Sequence, residues 1–246
     1  MYPNLNVPLL GNIPTFFLLI SIGISLGLIF AYKDEKPEHL NGGNNFSNLI
    51  LLVLIGSLAG ARLIHVVYEN WEFYQTQPWS ILAIWNGGFV FYGGFLGAIG
   101  LGHLYAYLKR WNRQDILKTY DFFAPPLALS YAVGRLGCFF NGCCFGKSCD
   151  AWFAISHRFP TTLLTSLTEL IIFIFLLIIR KKQMPPGGVF FIWLPLHALS
   201  RALMESQRAD FRGPTLGLSI SSWISLVLIV ISVFYWLNWY RSQKSS

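Results

Sequence analysis

Long apolar stretches separated by short polar segments run through the chain from end to end. An α-helix rises about 1.5 Å per residue, so roughly 20 apolar residues are needed to cross a hydrocarbon core of about 30 Å. Stretches of about that length predict seven membrane-spanning helices, at Ile13–Tyr32, Ser47–Tyr68, Gly87–Leu108, Ile116–Leu136, Thr162–Ile179, Gly187–Met204 and Leu216–Tyr240. The pattern therefore predicts an all-α integral membrane protein in which residues 1–246 form a single polytopic membrane domain.

The composition supports a lipid environment. The chain is 54% hydrophobic and 12% charged, whereas soluble domains carry about 25% charged residues. The formal net charge of +7 does not indicate a nucleic-acid partner, because basic residues in short loops set membrane orientation and meet anionic lipid. Residues Met1 to Asn12 contain no lysine or arginine, so we expect no removable signal peptide and a first helix that stays in the membrane.

The basic residues predict the orientation of the helices. The loops after the first, third and fifth spans and the C-terminal tail hold most of them: Lys33, Lys36, Lys109, Arg110, Arg113, Lys118, Arg180, Lys181, Lys182, Arg241 and Lys244. By the positive-inside rule this group is cytoplasmic, which places the N-terminus outside and the C-terminus inside.

The remaining basic residues indicate a site on the outer side. They are Arg62, Arg135, Lys147, Arg158, Arg201, Arg208 and Arg212, mostly at or beyond the outer ends of spans two, four and six. Clustered guanidinium groups at that depth predict an anion site, and the abundant anion there is a phospholipid phosphate. The alternative is that each arginine only extends to the interface.

The stretch Gly134–Gly146 (GRLGCFFNGCCFG) is the predicted centre of that site. It follows a long apolar segment and holds Arg135, Asn141, three cysteines and four glycines. An arginine near bilayer depth is costly and commonly faces a polar cavity, so Arg135 is a candidate functional residue.

A second unusual stretch, Trp85–Gly97 (WNGGFVFYGGFLG), has two glycine pairs that bracket Tyr92. Glycine pairs let the backbone approach a ligand or a neighbouring helix closely. Tyr92 is therefore a candidate for the site, or a tyrosine of the interfacial aromatic belt. Gly23/Gly27, Gly56/Gly60 and Gly93/Gly97 are spaced by four residues, which favours close contacts between helices.

A third stretch places His197, Arg201, Glu205 and Arg208 on one helical face, at spacings of four, four and three residues. Glu205 is spaced to pair with both arginines. This polar face on a membrane helix is a candidate part of the site, or an ion network that only holds helices together.

The four cysteines, Cys138, Cys143, Cys144 and Cys149, fall within twelve residues. A disulfide or inert thiols rank first on the predicted outer, oxidising side. A metal site ranks second, because the spacing offers no C-x-x-C pair, and a catalytic thiol ranks third.

Taken together, these stretches resemble the prolipoprotein diacylglyceryl transferase family. The resemblance covers most of the chain and rests on Gly-Gly-x4-Gly-Gly at 87–94, Gly-Arg-x-Gly…Asn-Gly…Gly at 134–146 and Arg-x3-Glu-x2-Arg at 201–208. Gly60-Ala61-Arg62-Leu63 is also similar to the family pattern.

The resemblance implies an enzyme of the bacterial cytoplasmic (inner) membrane that needs no cofactor and no metal. Its substrates would be phosphatidylglycerol and the lipobox cysteine of a preprolipoprotein, and its products a thioether and glycerol phosphate. It implies that Arg135 binds the lipid phosphate and that Arg201, Glu205 and Arg208 belong to the polar helix of the site. Substrate contacts are expected from Asn141, Gly142, Gly146, Arg208, Arg62, Gly93 and Gly94.

The sequence departs from the usual family pattern at several of these positions. Tyr92 stands where a histidine is usual, Cys138 and Cys143 where an asparagine and a glutamate are usual, and His197 in place of a tyrosine. The hypothesis is that Arg135 and Arg201 neutralise phosphate charge and that His197 or Tyr92 takes the thiol proton. An imidazole has the better intrinsic pKa for this role, whereas Tyr92 lies in the better-placed motif. The alternative is a catalytically altered relative that binds phospholipid or lipoprotein without transfer.

Overall fold

The computed structural model describes residues 4–7, 11–83, 88–209 and 219–244 and is mainly helical. Strands β1 (Asn4–Val7) and β2 (Gly11–Pro14) form an antiparallel pair in which Asn4 faces Pro14. The long helices are α1 (Thr15–Lys33), α3 (Asn45–Ile64), α5 (Phe91–Leu108), α6 (Arg113–Phe140), α7 (Thr161–Ile179), α8 (Phe190–Ser206) and α9 (Ile220–Lys244). The short elements are α2 (Glu38–Asn41), a π-helical turn (His65–Glu69), α4 (Trp71–Thr76) and a 3-10 turn (Pro78–Ile81).

Each of the seven predicted stretches coincides largely with one long helix. Among the described residues, four helical segments are long and apolar enough to cross a membrane: Thr15–Lys33, Asn45–Tyr68, Thr161–Ile179 and Ser221–Lys244. The all-α membrane class is therefore confirmed, while the count of seven spans stays a prediction. The strand pair was not predicted, because its asparagine, glycine and proline residues are depleted in strands.

By its contacts the chain divides into two compact units, residues 1–35 with 117–246 and residues 36–116. In the first unit, α1 lies against α6 through small residues, since a Cβ on Gly23 would lie 2.8 Å from the carbonyl oxygen of Ser130. A core forms where α6, α7 and the start of α8 meet, and its fully buried members include Ala124, Ala128 and Leu176. Small side chains on α6 thus let larger ones from α7 approach closely.

The second unit is built on a close contact between α3 and α5. A Cβ on Gly97 would lie 2.0 Å from the carbonyl oxygen of Gly56, and one on Gly93 would lie 2.3 Å from that of Gly60. Both distances are too short for any side chain, so these four positions require glycine. The prediction that Gly56/Gly60 and Gly93/Gly97 allow close helix packing is confirmed.

Replacing Gly97 with alanine should destabilise the second unit, because the added methyl group overlaps the backbone of α3. Overpacking of this kind costs about 1–3 kcal/mol. Gly100→Ala is the matched control, since a Cβ there meets nothing within 4 Å. Thermal unfolding of the purified protein in detergent should show a lower midpoint for Gly97→Ala only. Equal midpoints for the two variants would contradict the packing assignment.

Candidate active site

The first unit contains a buried acidic residue on α7. The side chain of Glu169 is 0% exposed, and its Oε1 lies 2.6 Å from Nδ1 of His197 on α8. An isolated charge in such surroundings is costly, so the pairing is what allows the carboxylate to be there. When Glu169 is ionised, Nδ1 of His197 carries the proton and donates it, which leaves Nε2 as a proton acceptor.

Aromatic rings connect His197 to the predicted phosphate-binding arginine. The imidazole lies edge-on to the ring of Tyr131, with 4.8 Å between ring centroids. The centroid of the Trp193 ring lies 5.3 Å from that of the imidazole. Arg135 donates a hydrogen bond from Nη2 to the hydroxyl of Tyr131. Its guanidinium carbon lies 4.8 Å from the centroid of the same ring. Tyr131 therefore holds Arg135 and contacts His197 at once.

The predicted acidic and basic face lies at the C-terminal end of α8 and just beyond it, since Arg201 and Glu205 belong to α8 and Arg208 follows it. Glu205 Oε2 lies 3.5 Å from Nη2 of Arg201 and 4.0 Å from Nε of Arg208, so both predicted ion pairs are present. Arg201 also donates a 2.7 Å hydrogen bond to the hydroxyl of Ser221 on α9. The side chains of Glu205 and Arg208 are 5% and 4% exposed. A carboxylate and a guanidinium this deeply buried are stable only together.

The loop after α6 is fixed to the end of α8 by backbone contacts. Gly146 and Arg208 form an antiparallel bridge, and Lys147 donates a 2.8 Å backbone hydrogen bond to Gln207. A Cβ on Gly146 would lie 2.7 Å from Phe159 and 2.9 Å from the carbonyl oxygen of Gln207, so only glycine fits. This bridge is why two predicted motifs, far apart in sequence, lie side by side.

Three cysteines lie where that loop meets α6. The Sγ atoms of Cys138, Cys143 and Cys144, here called the cysteine cluster, all lie within 4.8 Å of one another, and Cys149 is outside the group. All four cysteines are free thiols. Hydrogen bonding with Cys138 and Cys143, followed by the nearby Arg208 guanidinium, lowers the pKa of the Cys144 thiol. Asn141 hydrogen-bonds Cys143, and Arg135 interacts electrostatically with Cys138 and Cys144.

These contacts join into one polar network. Its charged members are the guanidinium groups of Arg135, Arg201 and Arg208 and the carboxylates of Glu169 and Glu205. Three guanidinium groups thus face two carboxylates in surroundings of low dielectric, where charge is costly unless balanced. This excess of guanidinium groups favours binding of an anion.

The second unit places Arg62 in a different environment. Its side chain is buried and donates hydrogen bonds to the carbonyl oxygens of four residues: Ser80, Ile81, Ala83 and Gly88. Arg62 therefore holds the backbone at 80–83 and at Gly88 beside the end of α3. The predicted contact of Arg62 with lipid phosphate stays a prediction.

The other predicted residues of the second unit lie at the start of α5. Gly93 and Gly94 are buried against α3, and a Cβ on Gly94 would lie 3.1 Å from Ser57. Helix packing accounts for both glycines, and their predicted substrate contact stays a prediction. Tyr92 belongs to the first turn of α5, but its side chain is outside the described part of the structure, as are Arg212 and the first glycine of the 87–94 element.

Comparison with known proteins decides the family. The family model described as prolipoprotein diacylglyceryl transferase matches residues 7–238. The chain belongs to this family. It is similar to the phosphatidylglycerol–prolipoprotein diacylglyceryl transferase of Clostridium tetani, at 31% identity over 92% of this chain and 93% of the relative. The transferases of the same name from Clostridium novyi and Streptococcus equi subsp. zooepidemicus are 32% and 29% identical, over 93% and 94% of this chain and 92% of each relative.

Sequence reasoning missed Glu169 and Tyr131. The signal for Glu169 is present in the sequence, because it is the one acidic or basic residue in the predicted span Thr162–Ile179. A lone carboxylate in such a helix indicates a functional residue with a partner elsewhere in the bundle. Tyr131 gave no comparable signal, since tyrosines are common in membrane helices.

Proposed function

We propose that this chain transfers the diacylglyceryl group of phosphatidylglycerol to the lipobox cysteine thiol of a prolipoprotein. The thiol sulfur forms a new C–S bond to the glyceryl carbon, the C–O bond to the phosphate breaks, and glycerol phosphate leaves. The observation that carries the proposal is the buried polar network in which three guanidinium groups face two carboxylates, in a member of this transferase family. A phosphodiester carries one negative charge, so the lipid head group suits a site in which guanidinium groups outnumber carboxylates.

Arg135 and Arg201 hold the phosphate in this mechanism. Breaking the C–O bond adds a second negative charge to the leaving phosphate, and fixed guanidinium groups stabilise that charge in a low-dielectric site. The hydrogen bond of Arg135 to Tyr131 and that of Arg201 to Ser221 hold the two side chains in position before the lipid binds. Glu205 lies within ion-pair distance of Arg201 and Arg208 and orients both.

His197 is the better supported of the two candidate bases. Its contact with Glu169 fixes the tautomer in which Nε2 accepts a proton, and the carboxylate stabilises the imidazolium that forms. The proton of the thiol passes to His197 as the sulfur attacks, and the imidazolium then returns it to the departing phosphate. Tyr92 remains the alternative base in the second unit.

The remaining predicted residues would shape the substrate site. The loop after α6, which runs from the helix of Arg135 to the bridge with Arg208, contains Asn141, Gly142 and Gly146. Gly142 in this loop has a left-handed φ of 74°. A side chain at Gly146 would overlap Phe159, and one at Gly142 would strain its left-handed backbone, so either would shift that loop. The site would lie toward the outer side of a bacterial inner membrane in a multi-pass protein with seven spans, an outside N-terminus and a cytoplasmic C-terminus.

The proposal is tested by mixing the purified protein in detergent with phosphatidylglycerol and a synthetic lipobox peptide, followed by mass spectrometry of the peptide. We expect a mass increase of one diacylglyceryl group and none when the peptide cysteine is replaced by serine. An unmodified cysteine peptide, with lipid still bound to the protein, would contradict the transfer and favour the catalytically altered relative.

Replacing Arg135 with glutamine should lower the transfer rate by about 100- to 1,000-fold, the usual loss for one preorganised charge-stabilising donor. Arg113→Gln on the same helix is the matched control, because Arg113 is exposed at its start. Steady-state rates in the peptide assay, with thermal unfolding as a check on folding, separate the two. A folded Arg135→Gln variant with the activity of Arg113→Gln would remove Arg135 from the mechanism.

A further inference from the structure

The proposed transfer reaction gives no role to the cysteine cluster. A nucleophilic role for these thiols is excluded on chemical grounds, because an enzyme thiol that took the diacylglyceryl group would form a thioether, whose C–S bond is not readily cleaved by a second thiol. A disulfide would use two of the three sulfurs and leave the third unexplained. Neither role explains why three thiols lie so close together.

The geometry of the three sulfurs fits a thiophilic metal ion. Zinc binds thiolate sulfur at about 2.3 Å, so three sulfurs around one ion lie roughly 3.8–4.0 Å apart. In the structure Sγ of Cys143 and Sγ of Cys144 are 3.4 Å apart, and all three Sγ atoms lie within 4.8 Å of one another. Shifts of less than about 1 Å, within the reach of a χ1 adjustment, would give a three-sulfur coordination shell.

The backbone around the cluster directs the sulfurs to a common point. The amide of Cys143 donates a 3.2 Å hydrogen bond to the carbonyl oxygen of Cys138, which closes the turn at the end of α6. Cys144 has a left-handed φ of 66°, a conformation that a non-glycine residue adopts only at a cost. The Oγ1 of Thr161 donates a 2.5 Å hydrogen bond to the carbonyl oxygen of Cys144 and holds it there.

The charge of the surroundings also fits. A divalent ion with three thiolates carries one net negative charge, the same as a lipid phosphodiester, and in the polar network three guanidinium groups face two carboxylates. Arg208 hydrogen-bonds Cys144, and Arg135 interacts with Cys138 and Cys144. Arg135, which would hold the lipid phosphate, and Arg208 would therefore neutralise the metal–thiolate group.

We propose that Cys138, Cys143 and Cys144 form a binding site for one zinc-class divalent ion, with the fourth coordination position open to water. Each thiol that binds the ion as a thiolate releases one proton to the solvent, so binding one ion releases up to three protons. A second consequence rests on the proposed function: the metal-bound state occupies Arg135 and Arg208 and should inhibit transfer in competition with phosphatidylglycerol.

Metal binding is tested on the full chain, reduced and freed of metal by a chelator in detergent. Zn²⁺ is added, excess ion is removed by gel filtration, and bound metal is measured by elemental mass spectrometry; Cd²⁺ serves as a spectroscopic probe through its thiolate charge-transfer absorption. We expect one ion per chain. Replacing Cys138, Cys143 or Cys144 with serine should each lower affinity by more than about 100-fold, whereas Cys149→Ser, the matched control, should not.

A readout without variants covers the case in which a serine variant fails to fold. In the wild-type chain, bound Zn²⁺ should protect the three clustered thiols from alkylation and leave Cys149 reactive, as mapped by peptide mass spectrometry. No bound ion in the reduced chain, or equal protection of all four thiols, would overturn the proposal. Stoichiometry and protection are measured without substrate, so their outcome is independent of the transferase assay.

Discussion

The structure of the first unit depends on one constraint: a fully buried carboxylate on an apolar helix needs a partner. Glu169 has this partner in His197, at 2.6 Å, and the contact fixes the position of α7 along α8. Removing one member of a buried pair leaves the other uncompensated, typically at a cost of about 3–5 kcal/mol. The same contact selects the tautomer of His197 and so connects the stability of the bundle with its proton chemistry.

From this pair the network reaches the rest of the candidate site through short contacts. Tyr131 contacts His197 and accepts a hydrogen bond from Arg135, while the Gly146–Arg208 bridge brings the end of α8 to the loop after α6. Residues from four helices, α6 to α9, thus hold three guanidinium groups in a largely buried position. Holding charged groups in place before substrate binds reduces the reorganisation needed during the reaction.

Local patterns in the sequence predicted the helices and the ion pairs at the end of α8. Arg201 and Glu205 meet by helical spacing, and Arg208, two residues beyond the helix, still reaches Glu205. The Glu169–His197 pair joins residues 28 positions apart on different helices, and no local rule fixes such a contact. The end of α6 was predicted at Leu136, but the helix continues to Phe140. Gly137 lies against α1 at Phe16 and Leu19, so tertiary packing supports a segment whose glycines alone disfavour a helix.

The central claim, that Glu169 and His197 act as one proton-accepting unit, is tested most directly by the transfer rates of three variants. Wild type, Glu169→Gln, His197→Phe and Tyr92→Phe would be compared in the peptide assay at saturating lipid, with thermal unfolding as a check on folding. The neutral amide introduced by Glu169→Gln stabilises an imidazolium less than a carboxylate does, so this variant should be slower than wild type. His197→Phe should lose about 100- to 10,000-fold in rate, the usual contribution of a general base. Tyr92→Phe should keep the wild-type rate. Wild-type rates in folded Glu169→Gln and His197→Phe would contradict the account.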